Sequence, residues 1–318
     1  MTQEGMMRDN THRRRRFGRG LRLQLLGALV LALVASGVGQ ALAQDLGTIE
    51  PGKMIVAFNG DMPMTSVKDG KFVGTDAEMI SMIADQLGLQ IEPQQMEWSA
   101  EIESTKAGRV DLMLGAMGWT KERSEVMRLT DPIYYFGTLL AQKQENNWST
   151  FADMAGKKVG TVTGFTLVPE LKQVPNIGEV KLYDTSDAVM RDLVTGRLDI
   201  AILDPPLVAL ALKEHPEWNL HQVALQPDPK YPIMSTKYNV VMGIRQDAEG
   251  LEQAVNDGID KLWATCENQK IMAQYGVTDA SFFLPPNPNP RVGVDRPADW
   301  VSPTLGKDCA AAAATPAS

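Results

Sequence analysis

Two pairs of short segments recur along this chain in the same order, and this repetition strongly constrains its fold. Gly52–Phe58 resembles Gly156–Val162, and further along Gly108–Leu114 resembles Gly196–Ile202. One such pair can arise by chance, whereas two pairs in one order indicate two similar structural units. In the second pair the glycine follows a helix-like stretch and precedes an apolar run, which is typical of a helix end leading into a buried strand. The chain is therefore predicted to contain two related α/β units.

The lengths and periodicities between these landmarks favour two lobes. The chain has 274 residues after residue 44, which is more than a single hydrophobic core usually serves, so two lobes are expected. Asp76–Leu87 has helical apolar periodicity and ends at Gly88, and Ser186 is a good N-cap for a second helix. Alternating strands and helices predict mostly parallel sheets covered by helices on both faces.

The N-terminal residues 1–44 have the order of a secretory signal peptide. A basic segment precedes the apolar run Leu25–Val34, and the small-residue site Ala41–Ala43 follows it. The run is short for an uncleaved membrane anchor. Arg14–Phe17 also resembles the twin-arginine export motif, so Sec and twin-arginine export both stay open. We expect a periplasmic protein.

The charge balance of the mature chain excludes several classes of partner. Residues 1–44 hold seven of the 31 Lys and Arg and two of the 39 Asp and Glu, which leaves a net charge of −13. So acidic a chain is a poor candidate for binding nucleic acid or anionic lipid.

Two cysteines, Cys266 and Cys309, follow the signal segment. They either pair in an oxidising compartment or stay as separate thiols, and the sequence does not decide between these. Neither has the spacing of a metal or redox motif, so no metal and no cofactor are expected. Residues 281–318 are rich in proline and alanine, and we expect this tail to bury little and to be a strap or disordered.

Common enzyme signatures are missing from the sequence, including the nucleophile elbow, phosphate loop, dinucleotide loop and His-Glu-x-x-His motifs. His215 and His221 are the two histidines after the signal segment, and both are interpreted as surface residues. The sequence therefore predicts a protein that is not an enzyme.

Polar residues follow the predicted strands, at the edge where open α/β sheets bind ligands. The Gly-rich turn containing Gly118 offers backbone N–H groups, and Arg123 offers a planar fork that suits a carboxylate. Thr166 begins a helix that offers further N–H groups, and Asp204 ends a strand where it can pair with an ammonium. Taken singly, Arg123 also fits a solvated helix residue, and Thr166 and Asp204 also fit caps or turn residues.

Several ordered segments give the chain a family resemblance from about Gly52 to Gly276. The segments resemble the motifs of the solute-binding proteins of polar amino-acid ABC importers. They are Gly70–Asp76, Trp98 at its spacing from Asp111, Thr120–Arg123, Asp131–Tyr135, and Gly196–Asp199 with Asp204. The resemblance implies a type II periplasmic-binding-protein fold, in which each lobe is a mostly parallel sheet flanked by helices and two hinge crossovers join the lobes.

The resemblance also implies roles for seven residues. Arg123, within the Thr120-x-x-Arg motif, clamps the ligand α-carboxylate with help from Gly118 and Thr166. Asp204 takes the α-ammonium. The remaining ligand-binding candidates are Trp98, a platform under the ligand side chain, and Asp61, where the family often has an aromatic specificity residue.

Three positions depart from the family pattern. Gly118 replaces a Ser or Thr, Met64 stands where Phe is common after Pro, and Thr75 also replaces Phe. Asp61 and Glu97 can favour a cationic side chain, although surface acidity is the commoner explanation in an acidic protein. The sequence does not decide which side chain the ligand has.

The resemblance implies a mechanism and a domain plan. Lobe 1 comprises residues 45–137 and 238–280, lobe 2 comprises 138–237, and crossovers near 136–138 and 236–238 let the lobes close around a small zwitterion. The closed monomer then docks on an inner-membrane ABC permease. Two rivals stay open, namely a cyclohexadienyl or arogenate dehydratase on the same fold, and a module that presents its ligand to a sensor.

Overall fold

The computed structural model of this protein describes residues 46–309, so the predicted signal peptide and the alanine run near the C-terminus lie outside the described residues. The strands, in chain order, are β1 Lys53–Phe58, β2 Ser66–Lys68, β3 Lys71–Val73, β4 Gln90–Gln95, β5 Leu112–Met113, β6 Arg128–Leu129, β7 Tyr134–Phe136, β8 Leu139–Lys143, β9 Lys158–Val162, β10 Glu179–Tyr183, β11 Ile200–Ala201, β12 Leu220–Ala224, β13 Tyr238–Val240 and β14 Gly243–Ile244. The helices are α1 Thr75–Leu87, α2 Trp98–Lys106, α3 Lys121–Ser124, α4 Val168–Leu171, α5 Ser186–Val194, α6 Pro205–Glu214, α7 Pro232–Ser235, α8 Glu249–Thr265 and α9 Glu267–Gln274, with short 3-10 helices at Ala152–Met154, Pro216–Trp218 and Ala280–Phe283.

Two five-stranded sheets dominate the fold and share one plan. The first has the order β4-β1-β5-β14-β6, and the second has the order β10-β9-β11-β8-β12. In the first sheet β1 pairs in parallel with β4 and β5, while β14 is antiparallel to both of its neighbours. In the second sheet β9 pairs in parallel with β10 and β11, while β8 is antiparallel to both of its neighbours. In each sheet four of the five strands therefore run in the same direction, and in this sense the sheets are mostly parallel, as predicted.

The repeated sequence segments occupy equivalent places in the two sheets. The first pair forms β1 and β9, the second strand in each sheet order, and the second pair leads into β5 and β11, the central strands directly beside them. Strand β1 is almost wholly buried, which agrees with its continuous apolar run.

The predicted helices form with small changes at their ends. Helix α1 buries Met79, Ile80, Ile83 and Ala84 and ends at Gly88, which has a left-handed φ of 69°. The expectation that Ser186 caps α5 is wrong. Thr185 is the N-cap, because its side chain accepts a hydrogen bond from the Ala188 N–H at 3.2 Å.

Two crossovers join the sheets and run side by side. Strand β7 leads out of the first sheet and β13 leads back to it, and the two pair antiparallel with Phe136 opposite Tyr238. The hydroxyls of Thr138 and Tyr238 lie 3.2 Å apart. The crossovers therefore lie near the predicted positions and form the two-stranded link of a two-lobed fold.

The C-terminal segment that is described packs closely against the first sheet. Arg291 is fully buried, and it donates hydrogen bonds to the carbonyl oxygens of Thr130 at 2.6 Å and Leu129 at 3.2 Å. It also pairs with Asp295 at 2.6 Å. The segment is a strap, as expected, but the expectation that it buries little is wrong, because both the guanidinium of Arg291 and the apolar side chain of Phe283 are buried.

A disulfide between Cys266 and Cys309 ties the end of this strap to the junction of α8 and α9. The two cysteines therefore pair, which the sequence did not decide. None of the helices within residues 46–309 is long and apolar enough to cross a membrane.

Candidate ligand-binding cleft

A narrow cleft lies between the two sheets, and the space within and in front of it, open solvent included, is about 430 Å³. Its walls come from the turns that follow β5, β9 and β11, from the two crossovers and from Trp98. These turns all lie at the carboxyl ends of parallel strands, where the sequence predicts the site. The lining residues include Trp98, Gly118, Gly137, Thr166, Asp204 and Tyr238.

Arg123 bridges the two sheets beside this cleft. It lies in the short helix α3, and its buried guanidinium donates from Nη1 to the Gly118 carbonyl at 2.6 Å and to Thr166 Oγ1 at 3.0 Å. Its Nη2 donates to the Gly164 carbonyl at 2.8 Å. Gly118 belongs to the turn after β5, whereas Gly164 and Thr166 belong to the turn after β9, so a single side chain connects both halves.

Arg123 keeps unused hydrogen-bonding capacity. A guanidinium has five N–H donors, and these contacts use both donors of Nη1 and one of Nη2. Within residues 46–309 the Nε donor and the second Nη2 donor have no protein acceptor, and Arg123 has no carboxylate within salt-bridge distance. Burial lowers the pKa of Arg123 to about 10, so the group stays cationic at neutral pH. Two N–H donors of Arg123 therefore remain for an incoming carboxylate.

Asp204 is an acidic counterpart in the wall formed by the second sheet. It follows β11, it is buried, and it precedes α6 without capping that helix through its side chain. Its carboxylate accepts no hydrogen bond from any residue in the described range 46–309. Burial, with smaller contributions from Asp61 and Asp76, raises its pKa well above the ordinary value. A buried carboxyl group without a partner is costly, and an incoming ammonium would relieve that cost.

Trp98 is the first residue of α2 and forms a wall shared by both halves. Its ring lies 5.6 Å from the Arg123 guanidinium and meets Phe165 edge-on at 5.9 Å. Its Nε1 donates to the Gly164 carbonyl at 3.4 Å. The ring therefore offers an aromatic surface next to the cationic group.

Three predicted site residues are not among those that line this cleft, namely Arg123, which lies beside it, Thr120 and Asp61. The Thr120 hydroxyl caps α3 by accepting from the Arg123 N–H at 3.1 Å, so Thr120 positions the helix that contains Arg123. Asp61 lines a second cavity, where it accepts hydrogen bonds from Ser186 Oγ at 2.6 Å and from Asn59 Nδ2 at 2.8 Å. Thr120 and Asp61 were both predicted from the sequence to bind the ligand, but the sequence did not show that their side chains have these other contacts.

Asp76 is a buried residue to which the sequence analysis assigned no role. Its carboxylate accepts hydrogen bonds from the Ala116 N–H at 2.8 Å, the Tyr134 hydroxyl at 3.0 Å and the Thr75 hydroxyl at 2.8 Å. Ala116 has a left-handed φ of 56°, so this contact supports the strained turn that shapes the cleft. The sequence did offer a signal for this residue, because Asp76 ends the segment Gly70–Asp76 that resembles a family motif.

Comparison with known proteins agrees with this architecture. The family model of the bacterial extracellular solute-binding proteins, family 3, matches residues 54–278. A probable ABC transporter extracellular-binding protein of Bacillus subtilis, YckB, is 31% identical over 216 residues, which cover 64% of this chain and 73% of that protein. The L-cystine-binding protein TcyJ of Escherichia coli K12 is 28% identical over 249 residues, which cover 76% of this chain and 90% of that protein.

Solved structures show the same fold. The amino-acid ABC transporter substrate-binding protein AbpA of Streptococcus pneumoniae, bound to L-arginine, superimposes with a TM-score of 0.63 at 26% identity and covers 70% of this chain and 94% of its own. An ancestral arginine-binding protein bound to glutamine superimposes with a TM-score of 0.64 at 22% identity and covers 72% of this chain and 99% of its own. The resemblance stated from the motifs and the two-lobed type II fold are thereby confirmed.

Proposed function

This chain belongs to the bacterial extracellular solute-binding proteins of family 3, and on that basis we propose that it binds a polar amino acid or a similar small zwitterion and delivers it to an ABC importer. The observation that supports this most strongly is a buried guanidinium beside the cleft and a buried carboxyl group in its wall, neither of which forms an ion pair with a described residue. Arg123 keeps two N–H donors that no described residue accepts, and Asp204 has a carboxyl group to which no described residue donates.

The ligand's two charged ends match these groups. Its α-carboxylate takes the Nε–Nη2 edge of Arg123, beside the hydroxyl of Thr166 and the backbone near Gly118, and its α-ammonium takes Asp204. Trp98 lies under the side chain. Because Arg123 and Asp204 are both desolvated in the protein, a ligand that neutralises them also removes the cost of leaving buried charges unpaired. This adds to the binding free energy that its other contacts supply.

Ligand binding and lobe closure are coupled in this proposal. Lobe 1 comprises residues 45–137 and 238–280, lobe 2 comprises 138–237, and 281–318 form the tail; these boundaries are consistent with the membership of the two sheets. Because ligand-binding groups come from both sheets, the closed state alone satisfies the ligand fully. Ligand therefore shifts the hinge equilibrium toward closure.

The family supports the extracellular setting of this proposal, and the remaining points are part of the proposal itself. Residues 1–44 direct export to the periplasm, the mature protein works as a monomer without catalysis or nucleic-acid binding, and its closed form docks on an inner-membrane permease. Assaying the purified protein with prephenate and arogenate tests the absence of catalysis, since turnover of either would contradict it.

Titration calorimetry of Arg123→Ala and Asp204→Asn tests the site. A screen of the wild type by thermal shift first identifies a bound amino acid, because ligand at 100-fold excess over Kd adds about 2.7 kcal/mol to stability. Each variant leaves a buried charge unpaired, so we expect affinity to fall about 30-fold to several thousand-fold. The exposed residues Arg109 and Asp85 supply matched controls, Arg109→Ala and Asp85→Asn. Affinity near that of the wild type in either site variant would overturn the assignment.

A further inference from the structure

The described part of the strap, residues 281–309, begins just beyond the family model, which ends at residue 278. Its start is fixed to the half of the molecule that contains the first sheet. Phe283 is buried and meets Trp263 of α8 edge-on at 6.1 Å, and Arg291 donates hydrogen bonds to carbonyl oxygens at the end of β6. The strap is therefore a rigid addition to that half.

The strap also holds the second crossover strand, β13. Asn289 of the strap and Asn239 of β13 are both buried, and their side-chain amides exchange two hydrogen bonds, at 2.7 and 3.1 Å. The carbonyl oxygen of Asn239 accepts the Trp119 N–H at 2.9 Å, directly beside Gly118 in the cleft. The strand that leads back to the first sheet is thus fixed between the strap and the turn that contains Gly118.

The chain just before this crossover is held by the other half. Helix α7 ends at Ser235, and its N–H groups at Ile233 and Met234 donate to the buried carboxylate of Glu170, each at 2.9 Å. Glu170 lies in α4, which follows β9 of the second sheet. Because α7 is attached to the second sheet and β13 to the first, the bend between the two halves lies between Ser235 and β13.

Lys237 lies within this bend and connects it to the strap. Its half-buried side chain donates from Nζ to the carbonyl oxygens of Ser281 at 2.8 Å and Leu284 at 3.2 Å. Among residues 46–309, no carboxylate lies within salt-bridge distance of Lys237. Two carbonyl oxygens of the strap are therefore the hydrogen-bond acceptors of this ammonium group.

These contacts respond differently to hinge motion. The structure has the two halves in contact, since Arg123 donates across the cleft to the Gly164 carbonyl. Opening the hinge turns the chain at Lys237 while Ser281 and Leu284 stay with the first sheet, so it weakens the contacts of Lys237. The Asn239–Asn289 pair lies on one side of the bend and is kept. A contact that differs between two states shifts their equilibrium by its own free energy.

We propose that Lys237 is a positioning residue that ties the strap to the moving part of the second crossover and thereby stabilises the closed arrangement. The inference rests on the proposed function, because it requires closure around a ligand. Lys237 is not among the residues that line the cleft, so it acts on affinity through the closed fraction of the protein. Since Phe283 and Arg291 hold the strap nearby, this contact does not depend on the disulfide at Cys309.

The test uses Lys237→Met, which keeps the apolar stem of the side chain and removes the ammonium group. A thermal-shift screen of the wild type first identifies two amino acids that bind. Titration calorimetry should then show about three- to 30-fold weaker binding in the variant, because hydrogen bonds from a charged group are lost in the closed state. The loss should be the same factor for both ligands, since Lys237 touches neither.

Binding kinetics separate this role from damage to the fold. Trp98 lines the cleft, so stopped-flow fluorescence can follow binding. Ligand enters while the halves are apart and the contact of Lys237 forms on closure, so the variant should release ligand faster by the calorimetric factor with an unchanged association rate constant. Lys237→Arg, which retains a cationic donor, should restore most of the affinity.

A matched control is Lys270→Met. Lys270 is exposed and also donates to a backbone carbonyl, that of Thr265 at 3.1 Å, but it lies in α9, away from both crossovers. If Lys237→Met does not fold, Lys237→Gln supplies the same comparison. Unchanged affinity, a loss confined to association, or no rescue by Lys237→Arg would overturn this inference and leave the proposed function standing. Failure of the wild type to bind any amino acid would instead overturn the proposed function.

Discussion

A Cβ atom placed on Gly118 would lie 2.9 Å from Oγ1 of Thr166, so these two residues approach each other across the cleft without room for a methyl group. The same Cβ would lie 3.3 Å from Tyr238. Gly118 occupies the position where the family commonly has Ser or Thr. The close approach explains the glycine, because a side chain there would hold the two halves apart while Thr166 keeps its contact with Arg123.

Substitution of Gly118 by alanine should therefore weaken ligand binding. We expect a loss of about five- to 100-fold in affinity, because an added methyl group in a closely packed contact costs about 1–3 kcal/mol. Calorimetry with the identified ligand measures it. Gly137→Ala is the control, since Gly137 lines the same cleft but has no atom within 4 Å of its virtual Cβ. Equal affinities for both variants would contradict the prediction.

The disulfide between Cys266 and Cys309 should stabilise the protein without contributing to ligand affinity. It closes a segment with a sequence separation of 43, and restricting such a loop in the unfolded chain is worth about 4 kcal/mol. Urea unfolding of Cys266→Ala/Cys309→Ala should show a loss of that order, while calorimetry shows ligand affinity near that of the wild type. A double variant as stable as the wild type would disprove the anchoring role of the bond.

Asp76 should give the folded protein a specific pH dependence. Burial raises its pKa from 3.8 to about 6 in the folded state. Between these pH values the folded state binds more protons than the unfolded state, so the free energy of unfolding falls as pH rises through this window. The loss amounts to about 3 kcal/mol when complete.

Asp76→Asn should remove this contribution, because the amide stays neutral and its oxygen still accepts a hydrogen bond. The measurement is the free energy of unfolding at pH 4 and pH 7 for wild type and variant, with exposed Asp85→Asn as the control. We expect the difference between wild type and Asp76→Asn to change by about 2.4 kcal/mol across that interval, because part of the effect is already lost at pH 4. A difference that is the same at both pH values would show that Asp76 does not titrate in this window.

The residues in and around the cleft show which parts of the site could be predicted from the sequence. Arg123, Thr166 and Asp204 were predicted because each follows or lies near the carboxyl end of an apolar strand, and parallel strands bring such ends together. Thr120 and Asp61 were predicted from the family resemblance, yet Thr120 caps a helix and Asp61 lines the neighbouring cavity. Adjacency to a strand end does not specify the direction in which a side chain points.

The sequence by itself determined the paired α/β units, the apolar face of α1 and the order of the strand ends, because these follow from local periodicity and from the repeat. Only the tertiary structure decided that Glu101 is buried without a partner, that Gly118 touches Thr166, and that Arg291 anchors the strap. Each of these depends on contacts between distant segments. Local propensity does not encode such contacts, whereas packing and desolvation decide them once the chain has folded.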